Sequence, residues 1–342
     1  MSSNQTVVFE GPGEVTLQSD EIPTPGPDEV LIETINSAIS VGTELTILSG
    51  EYPTGSTWDD YGEYPFDAGY CNVGEVIEAG SNVDEAIVGT TVATRSPHAR
   101  YHTVPYEQDV PFGGVVPVPD AVPAEQAAFF ALGGIAMNGV RRGRVDWGET
   151  VAMYGCGIVG QLALRFARIA GARPVVAFDI REDRRALLPS DPAVISANPE
   201  EIDPASAVRD AAHGRLADVV FEATGLGSIV PQEFQVLRDL GRLVILSSPR
   251  EETTLDLHDH CNGPSYEIIG AHEGSHSPAE TPQYPWTHER HFELYFDLVA
   301  DGELEIDSLI THRVTLDEAP SFYEGLLEDR SEALGVVLEY DD

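Results

Sequence analysis

The chain has 342 residues, enough for two domains with full cores, and 42% of them are hydrophobic, so its excess of acid does not signal disorder. Against 58 Asp and Glu stand 19 basic residues, every one an arginine, for a net charge of −39. With no basic face to neutralise phosphates and no apolar run long enough to span a bilayer, nucleic acid and membrane are excluded as partners.

Residues 1 to about 120 read as β-rich. Thr6–Glu10, Glu14–Leu17 and Glu29–Ser37 are short apolar runs or alternations broken by the Gly and Pro clusters GPGE and PTPGPDE. Val73–Ala79 and Gly89–Thr94 add two more strands, with turn chemistry at AGSN between them. No 3.6-residue period of useful length appears before Pro123. From Pro123 to Gly143 the chain turns alanine-rich and suits two short helices at the crossing between domains.

Strand and helix then alternate. The strands are Val151–Tyr154, Val175–Asp179, Ala193–Ala197, Asp218–Glu222, Arg242–Ser247 and Glu267–His272, an order that implies an α/β domain with a doubly wound parallel sheet. The run at 276–285, HSPAETPQYP, is polar and proline-rich and suits a surface loop. Helix Glu289–Ala300 follows, and Leu309–Glu339 returns to strand, helix and strand.

The stretch from Val151 to Asp179 carries the chemistry. A buried strand runs into Gly155, Gly157 and Gly160, spaced as G-x-G-x-x-G. Val159, Leu162, Ala163, Phe166, Ala167 and Ala170 then recur at helical spacing, with Arg165 and Arg168 off that stripe. In a dinucleotide site Gly155 makes the tight turn, Gly157 admits the pyrophosphate, and Gly160 lets helix and strand pack closely. Ile158 and Val159 begin the helix whose free N–H groups and positive end face the phosphates. Asp179 lies close to the offset of about 20 residues expected for the acid that binds the ribose hydroxyls, which favours NAD. Arg184, with Arg181 and Arg185, pulls the other way, because arginine there accommodates the 2′-phosphate of NADP. Thr224, after the fourth strand of this domain, is a candidate contact to the nicotinamide half.

Three cysteines, Cys71, Cys156 and Cys261, stand far apart, so neither a disulfide framework nor a C-x-x-C zinc site is expected. MSSNQTVVFEG at the start has no signal-peptide pattern, and a cytoplasmic protein is expected. Diffuse acid without lysine reads as adaptation to a high-salt cytoplasm, that of an extreme halophile, where screening removes most self-repulsion.

The stretches PGPDEVLIETINSAISVGTELTILSG, AGYCNVGEVIEAGSNV, YGCGIVGQLALRFARIAG, DVVFEATG and GRLVILSS together resemble the medium-chain dehydrogenase/reductases, the alcohol dehydrogenase-like superfamily. The resemblance covers nearly the whole chain. It implies a GroES-like β domain over 1–122, a Rossmann domain over 123–303, and a return to the first domain over 304–342. Zinc enzymes of the family hold their catalytic metal by a Cys before G-T-D or H-T-D, a His-Glu pair in G-H-E, and a later Cys. At the matching positions this chain has Val41, Tyr70 with Cys71, and Gly134, and the four-cysteine structural-zinc lobe is missing. Valine and glycine offer zinc no lone pair, so no zinc is expected. The pattern is most similar to a subgroup lacking these ligands, of which bacteriochlorophyllide a dehydrogenase is an example.

That resemblance places Thr43 where zinc enzymes keep a relay hydroxyl, and the alternative is a helix cap. Tyr70 either protonates a nascent alkoxide or lines the pocket. Cys71 reads as a buried small hydrophobe, His98 and His102 as structural, and Glu44 as a cap or a supporting hydrogen-bond acceptor. Trp286, His288 and His291 are weaker candidates for reaching a substrate. The expected function is an NAD(P)-dependent oxidoreductase that exchanges alcohol and carbonyl by hydride transfer without zinc. The alternatives are a quinone or enoyl reductase and a non-catalytic dinucleotide-binding redox sensor. A homo-oligomer, dimer or tetramer, is expected from the family.

Overall fold

A computed structural model describes residues 3–106, 114–277 and 279–340. The chain divides into two compact units, one of Met1–Leu132 with Ser277–Asp342 and one of Gly133–His276.

The first unit contains β1 (Asn4–Gly11), β2 (Glu14–Asp20), β3 (Glu29–Ile39), α1 (Val41–Ser49), α2 (Thr57–Tyr61), β4 (Phe66–Asp67), β5 (Asn72–Ala79), β6 (Thr91–Thr94), β7 (Tyr101–Pro105), β8 (Val116–Pro117) and α3 (Ala124–Ala127). Strand β3 is its spine. Val30–Ser37 pair with β5, while its other edge takes β7 at Glu29–Glu33 and the C-terminal strand at Asn36–Ile39. Eleven residues rich in Ile, Val and Leu suit a central strand of this kind. The β2-β1-β4 sheet packs its buried residues Val7, Phe9 and Val15 into the same core as α1.

Helix α1 falls where no helical period was readable. Six of its nine residues, Val41, Glu44, Leu45, Thr46, Ile47 and Leu48, are buried. A helix enclosed on most sides has no polar face, and the amphipathic signal vanishes.

Helix α4 (Phe130–Arg142) leads into the second unit, which holds β9 (Val151–Tyr154), α5 (Ile158–Ile169), β10 (Val175–Phe178), α6 (Glu182–Ala186), β11 (Val194–Ala197), α7 (Pro204–Ala211), β12 (Ala217–Glu222), α8 (Val230–Glu233), β13 (Leu237–Ile245) and β14 (Glu267–Gly270). All neighbouring strands are parallel, in the order β11-β10-β9-β12-β13-β14. This is the 3-2-1-4-5-6 order of a Rossmann domain, with its reversal between β9 and β12. All residues of β9 and β10 are buried, as strands covered on both faces must be. The architecture is thus a GroES-like β domain joined to a Rossmann domain.

The chain closes with α9 (His288–Ala300), β15 (Ile310–Thr315), α10 (Ala319–Glu328) and β16 (Gly335–Glu339), all in the first unit. The first unit also takes in residues 123–132 and 277–303. Phe130 meets Phe292 edge-on with centroids 4.7 Å apart and stacks on Phe296, and the Tyr295 hydroxyl donates to the Gln126 carbonyl. These contacts join α3 and the start of α4 to α9 within the first unit.

Candidate active site

In the second unit the glycine turn follows the C-terminal end of β9. Gly155 has φ +92°, and a Cβ there would stand 2.8 Å from the Ala223 carbonyl group. A Cβ on Gly160 would run into the Gly155 carbonyl oxygen, so α5 approaches the turn as closely as backbone permits. Gly157, the N-cap of α5, is different: a Cβ there would meet nothing within 4 Å. The first and third glycines are therefore required by the fold itself, while the second faces open space. That is the cradle a pyrophosphate would fill, at the start of a 12-residue helix whose first N–H groups have no side-chain cap.

Asp179 is nearly buried at the end of β10 and locks the turn. Its Oδ2 accepts from the Cys156 N–H at 2.8 Å and its Oδ1 from the Arg181 N–H at 2.9 Å. Of the three nearby arginines, Arg184 comes within 4.0 Å of this carboxylate, while Arg181 forks onto Asp183. The Nε atoms of Arg184 and Arg185 are buried without a hydrogen-bond partner among the described residues. Arg165, which stands off the apolar stripe, is nonetheless buried and donates to Gln161 and to the Leu187 carbonyl. Burial, and then the Asp179 charge, push the Cys156 thiol up to about 12, so it stays a thiol.

Across the strand reversal, Glu222 ends β12 fully buried. Its Oε1 accepts from the N–H groups of Thr224 and Gly225 and from the Thr224 hydroxyl, and its Oε2 accepts from Ser247. Thr224 also accepts from the Leu226 N–H. Its hydroxyl shapes the turn after β12, a role that the FEATG motif did not reveal.

The first unit holds Val41, Tyr70 and Cys71 of the metal-ligand positions, while Gly134 lies in the second. Val41 begins α1 and packs in the core with Leu45 and Phe9. The Tyr70 hydroxyl donates to Ser40 Oγ at 2.6 Å. Burial pushes the Tyr70 phenol well up, Cys71 adds to the rise, and the hydroxyls of Ser40 and Thr43 oppose it. Thr43 therefore stands beside Tyr70, inside α1. It is not the cap of that helix, whose N-cap is Ser40. Cys71 is fully buried and its thiol is likewise pushed up by burial.

Glu44 closes the first turn of α1 by accepting from the Ser40 N–H at 2.7 Å. Its other oxygen accepts from Tyr323 and lies 3.1 Å from His98 Nε2. His98 Nδ1 is 2.7 Å from Ser37 Oγ, which in turn is 2.8 Å from the Tyr340 hydroxyl. Gly69, at φ +98°, makes room for this network, because a Cβ there would stand 2.7 Å from the His98 ring. His98 and Glu44 are thus structural centres of the β domain. His102 sits between Thr34 and Thr94, and burial drives it down to about 3, leaving it neutral. Trp286, His288 and His291 lie at the start of α9, with Arg290 stacked 4.1 Å over the Trp286 ring and His291 Nδ1 3.0 Å from the Thr287 carbonyl oxygen.

Arg95 escaped the sequence reading altogether. Asn72 pairs with Thr94 at the end of the antiparallel β5–β6 ladder, and Cys71 and Arg95 are the residues that immediately flank that last pair. The Arg95 guanidinium carbon lies 5.3 Å from the centroid of the Tyr70 ring. The only available signal was the strand register, which requires knowing the pairing.

Residues 159–285 match a family model described as zinc-binding dehydrogenase. The L-threonine 3-dehydrogenase of Symbiobacterium thermophilum is 30% identical over 275 residues, covering 72% of this chain and 75% of that protein. The chain belongs to the alcohol dehydrogenase-like medium-chain dehydrogenase/reductases. Among solved members of this fold, a zinc-binding dehydrogenase from Sinorhizobium meliloti bound to NADP superposes with a TM-score of 0.81 at 23% identity, over 99% of this chain and all of that one. An Escherichia coli alcohol dehydrogenase complexed with NADH gives 0.80 at 18% identity, over 99% of this chain and all of that one. Among the described residues, no helix is long and apolar enough to cross a membrane.

Proposed function

We propose that this chain is an NAD(P)-dependent oxidoreductase that interconverts an alcohol and a carbonyl without a catalytic zinc, with NAD(H) as the preferred cofactor. The observation that carries the reading is the pairing of an intact glycine cradle with a hydroxyl cluster, Tyr70–Ser40–Thr43, at the positions where family members hold their metal.

The donor set does not fit zinc. Val41 and Gly134 bring no lone pair, burial keeps Cys71 a thiol, and Glu44 is already committed to Ser40, Tyr323 and His98. Among the described residues no three His, Cys, Asp or Glu side chains converge as a metal site would need. The threonine dehydrogenase and zinc-binding dehydrogenase relatives therefore support the fold and reaction class, and the metal step is not carried over.

The dinucleotide does fit. Gly155, Gly157, Ile158, Val159 and Gly160 would hold its pyrophosphate, and Asp179 its adenosine ribose. A carboxylate at that position accepts from two ribose hydroxyls and repels a 2′-phosphate, which favours NAD, while Arg184 tempers the repulsion. Bound there, the nicotinamide supplies or takes up the hydride. The substrate oxygen needs a hydrogen-bond donor as charge develops on it, and Tyr70, backed by Ser40 and Thr43, is that donor.

The test is turnover of a panel of aldehydes, ketones, enones and quinones with NADH and NADPH in molar salt. Reduction of simple carbonyls, lost in Tyr70→Phe, supports the reading. Reduction of enones or quinones alone points to a C=C or quinone reductase, and tight NADH binding without any turnover makes the protein a sensor.

A further inference from the structure

Tyrosine is a poor proton donor and acceptor near neutrality unless a positive charge stands beside it, and this chain has no lysine to provide one. We propose that Arg95 is the positioning cation of the pocket: stacked 5.3 Å from the Tyr70 ring, its guanidinium balances the negative charge that develops when Tyr70 passes its proton to or from the substrate oxygen. This rests on the hydride-transfer reading above and assigns a residue that the family's metal pattern does not include.

Three observations support it. Arg95 directly follows Thr94, whose pairing with Asn72 closes the β5–β6 ladder one residue from Cys71 and two from Tyr70. Thr94, the residue before it, is pinned to Ser96 at 3.0 Å and to His102 at 3.0 Å, which steadies the strand end that carries the arginine. Its charge is felt by the acids around it. Burial raises the Cys71 thiol and the Tyr61 phenol, and in both cases Arg95 is the leading influence in the opposite direction. Burial lowers the guanidinium's own pKa, with Tyr70, Cys71 and Tyr61 pulling back, yet arginine keeps its proton throughout the range in which proteins fold.

The groups facing Tyr70 are Ser40, the N-cap of α1, Thr43 and Glu44 from the first turn of α1, and the adjacent Cys71. Glu44 opposes ionisation of the phenol, and Tyr70 in turn helps the Arg95 guanidinium keep its proton. A divalent metal polarises the substrate oxygen directly. A guanidinium accepts no lone pair from it and acts through the tyrosine.

In carbonyl reduction, hydride reaches the carbonyl carbon, the C=O π pair moves onto oxygen, and the Tyr70 hydroxyl proton follows to give the alcohol. The tyrosinate left beside Arg95 regains its proton from solvent through the Ser40 hydroxyl. In oxidation the same atoms move in reverse. One proton and one hydride are consumed per carbonyl reduced.

The first test needs no substrate. Protein labelled with 3-fluorotyrosine, whose weaker phenol bond to its proton brings a buried tyrosine into working range, is titrated by 19F NMR, with the Tyr70 resonance assigned by Tyr70→Phe. Arg95→Gln, or Arg95→Met where the stem is needed for folding, should move the Tyr70 midpoint up by at least about one pH unit, and Arg95→Lys should restore it. A midpoint unmoved in the folded variants overturns the proposal. In the second test, kcat for any carbonyl the wild type reduces should fall about tenfold or more in Arg95→Gln, with KM for NADH unchanged. Loss of kcat without a moved midpoint would make Arg95 a substrate contact and also overturns the proposal. A wild type that turns nothing over defeats the oxidoreductase reading, while the NMR result still decides the Tyr70–Arg95 pairing.

Discussion

Glu233 offers the sharpest test of the Rossmann core. It lies at the end of α8 with no exposed surface, and neither carboxyl oxygen has a hydrogen-bond partner among the described residues. Its neighbours in the chain, Val230 and Phe234, belong to the apolar core that also holds Tyr154, whose phenol feels the Glu233 charge and whose hydroxyl is also without a partner among the described residues. Burial, helped by the Glu222 charge, pushes the Glu233 carboxyl up to about 9 from 4.5. The folded chain thus keeps a proton that the unfolded chain gives up once the pH passes its ordinary value. Stability falls as pH rises through that window. Between about pH 5 and about pH 8.5 the loss is roughly 5 kcal/mol at 1.36 kcal/mol per pH unit, a ceiling that water entry would lower. Glu233→Leu removes the titrating group and leaves an apolar side chain among apolar neighbours. Guanidinium unfolding in molar salt should show it several kcal/mol more stable than wild type at the higher pH and far closer at the lower one. An advantage that is the same at both values would refute the buried neutral acid.

Gly160→Ala should abolish folding of the Rossmann unit or cripple it, because its Cβ meets the Gly155 carbonyl oxygen, whereas Gly157→Ala should fold normally and weaken NADH binding; calorimetric binding and thermal melts on both variants separate the two. Asp179→Gly should shift preference from NAD towards NADP. It should also cost about 1–3 kcal/mol of stability, since the buried Cys156 N–H loses its acceptor; cofactor titrations that keep the wild-type ratio would remove Asp179 from its assigned role. Elemental analysis should find no stoichiometric zinc, and a chelator should leave turnover intact. Bound zinc that disappears in Cys71→Ser would reverse that expectation.

The parts of this protein legible in its sequence are those whose chemistry is written in neighbouring residues. Gly155, Gly157, Gly160 and Asp179 lie within one strand–helix–strand unit, and their spacing alone points to the tight turn and to the acid at the end of the second strand that locks it. Buried strands such as β9 and β10 announce themselves as short apolar runs for the same local reason. Helix α1 did not, because enclosure erased its period. The pocket of the β domain is harder, since its members come from different strands. Tyr70 meets Ser40 across 30 positions, Glu44 meets His98 across 54 and Tyr323 across 279, and no spacing rule reaches that far. Arg95 lies over the Tyr70 ring from 25 residues away, and no local pattern in the sequence brings the two together. A residue that cannot bind metal is visible one position at a time, but which side chains meet around it is a matter of how the strands pair, and register is decided by the whole sheet.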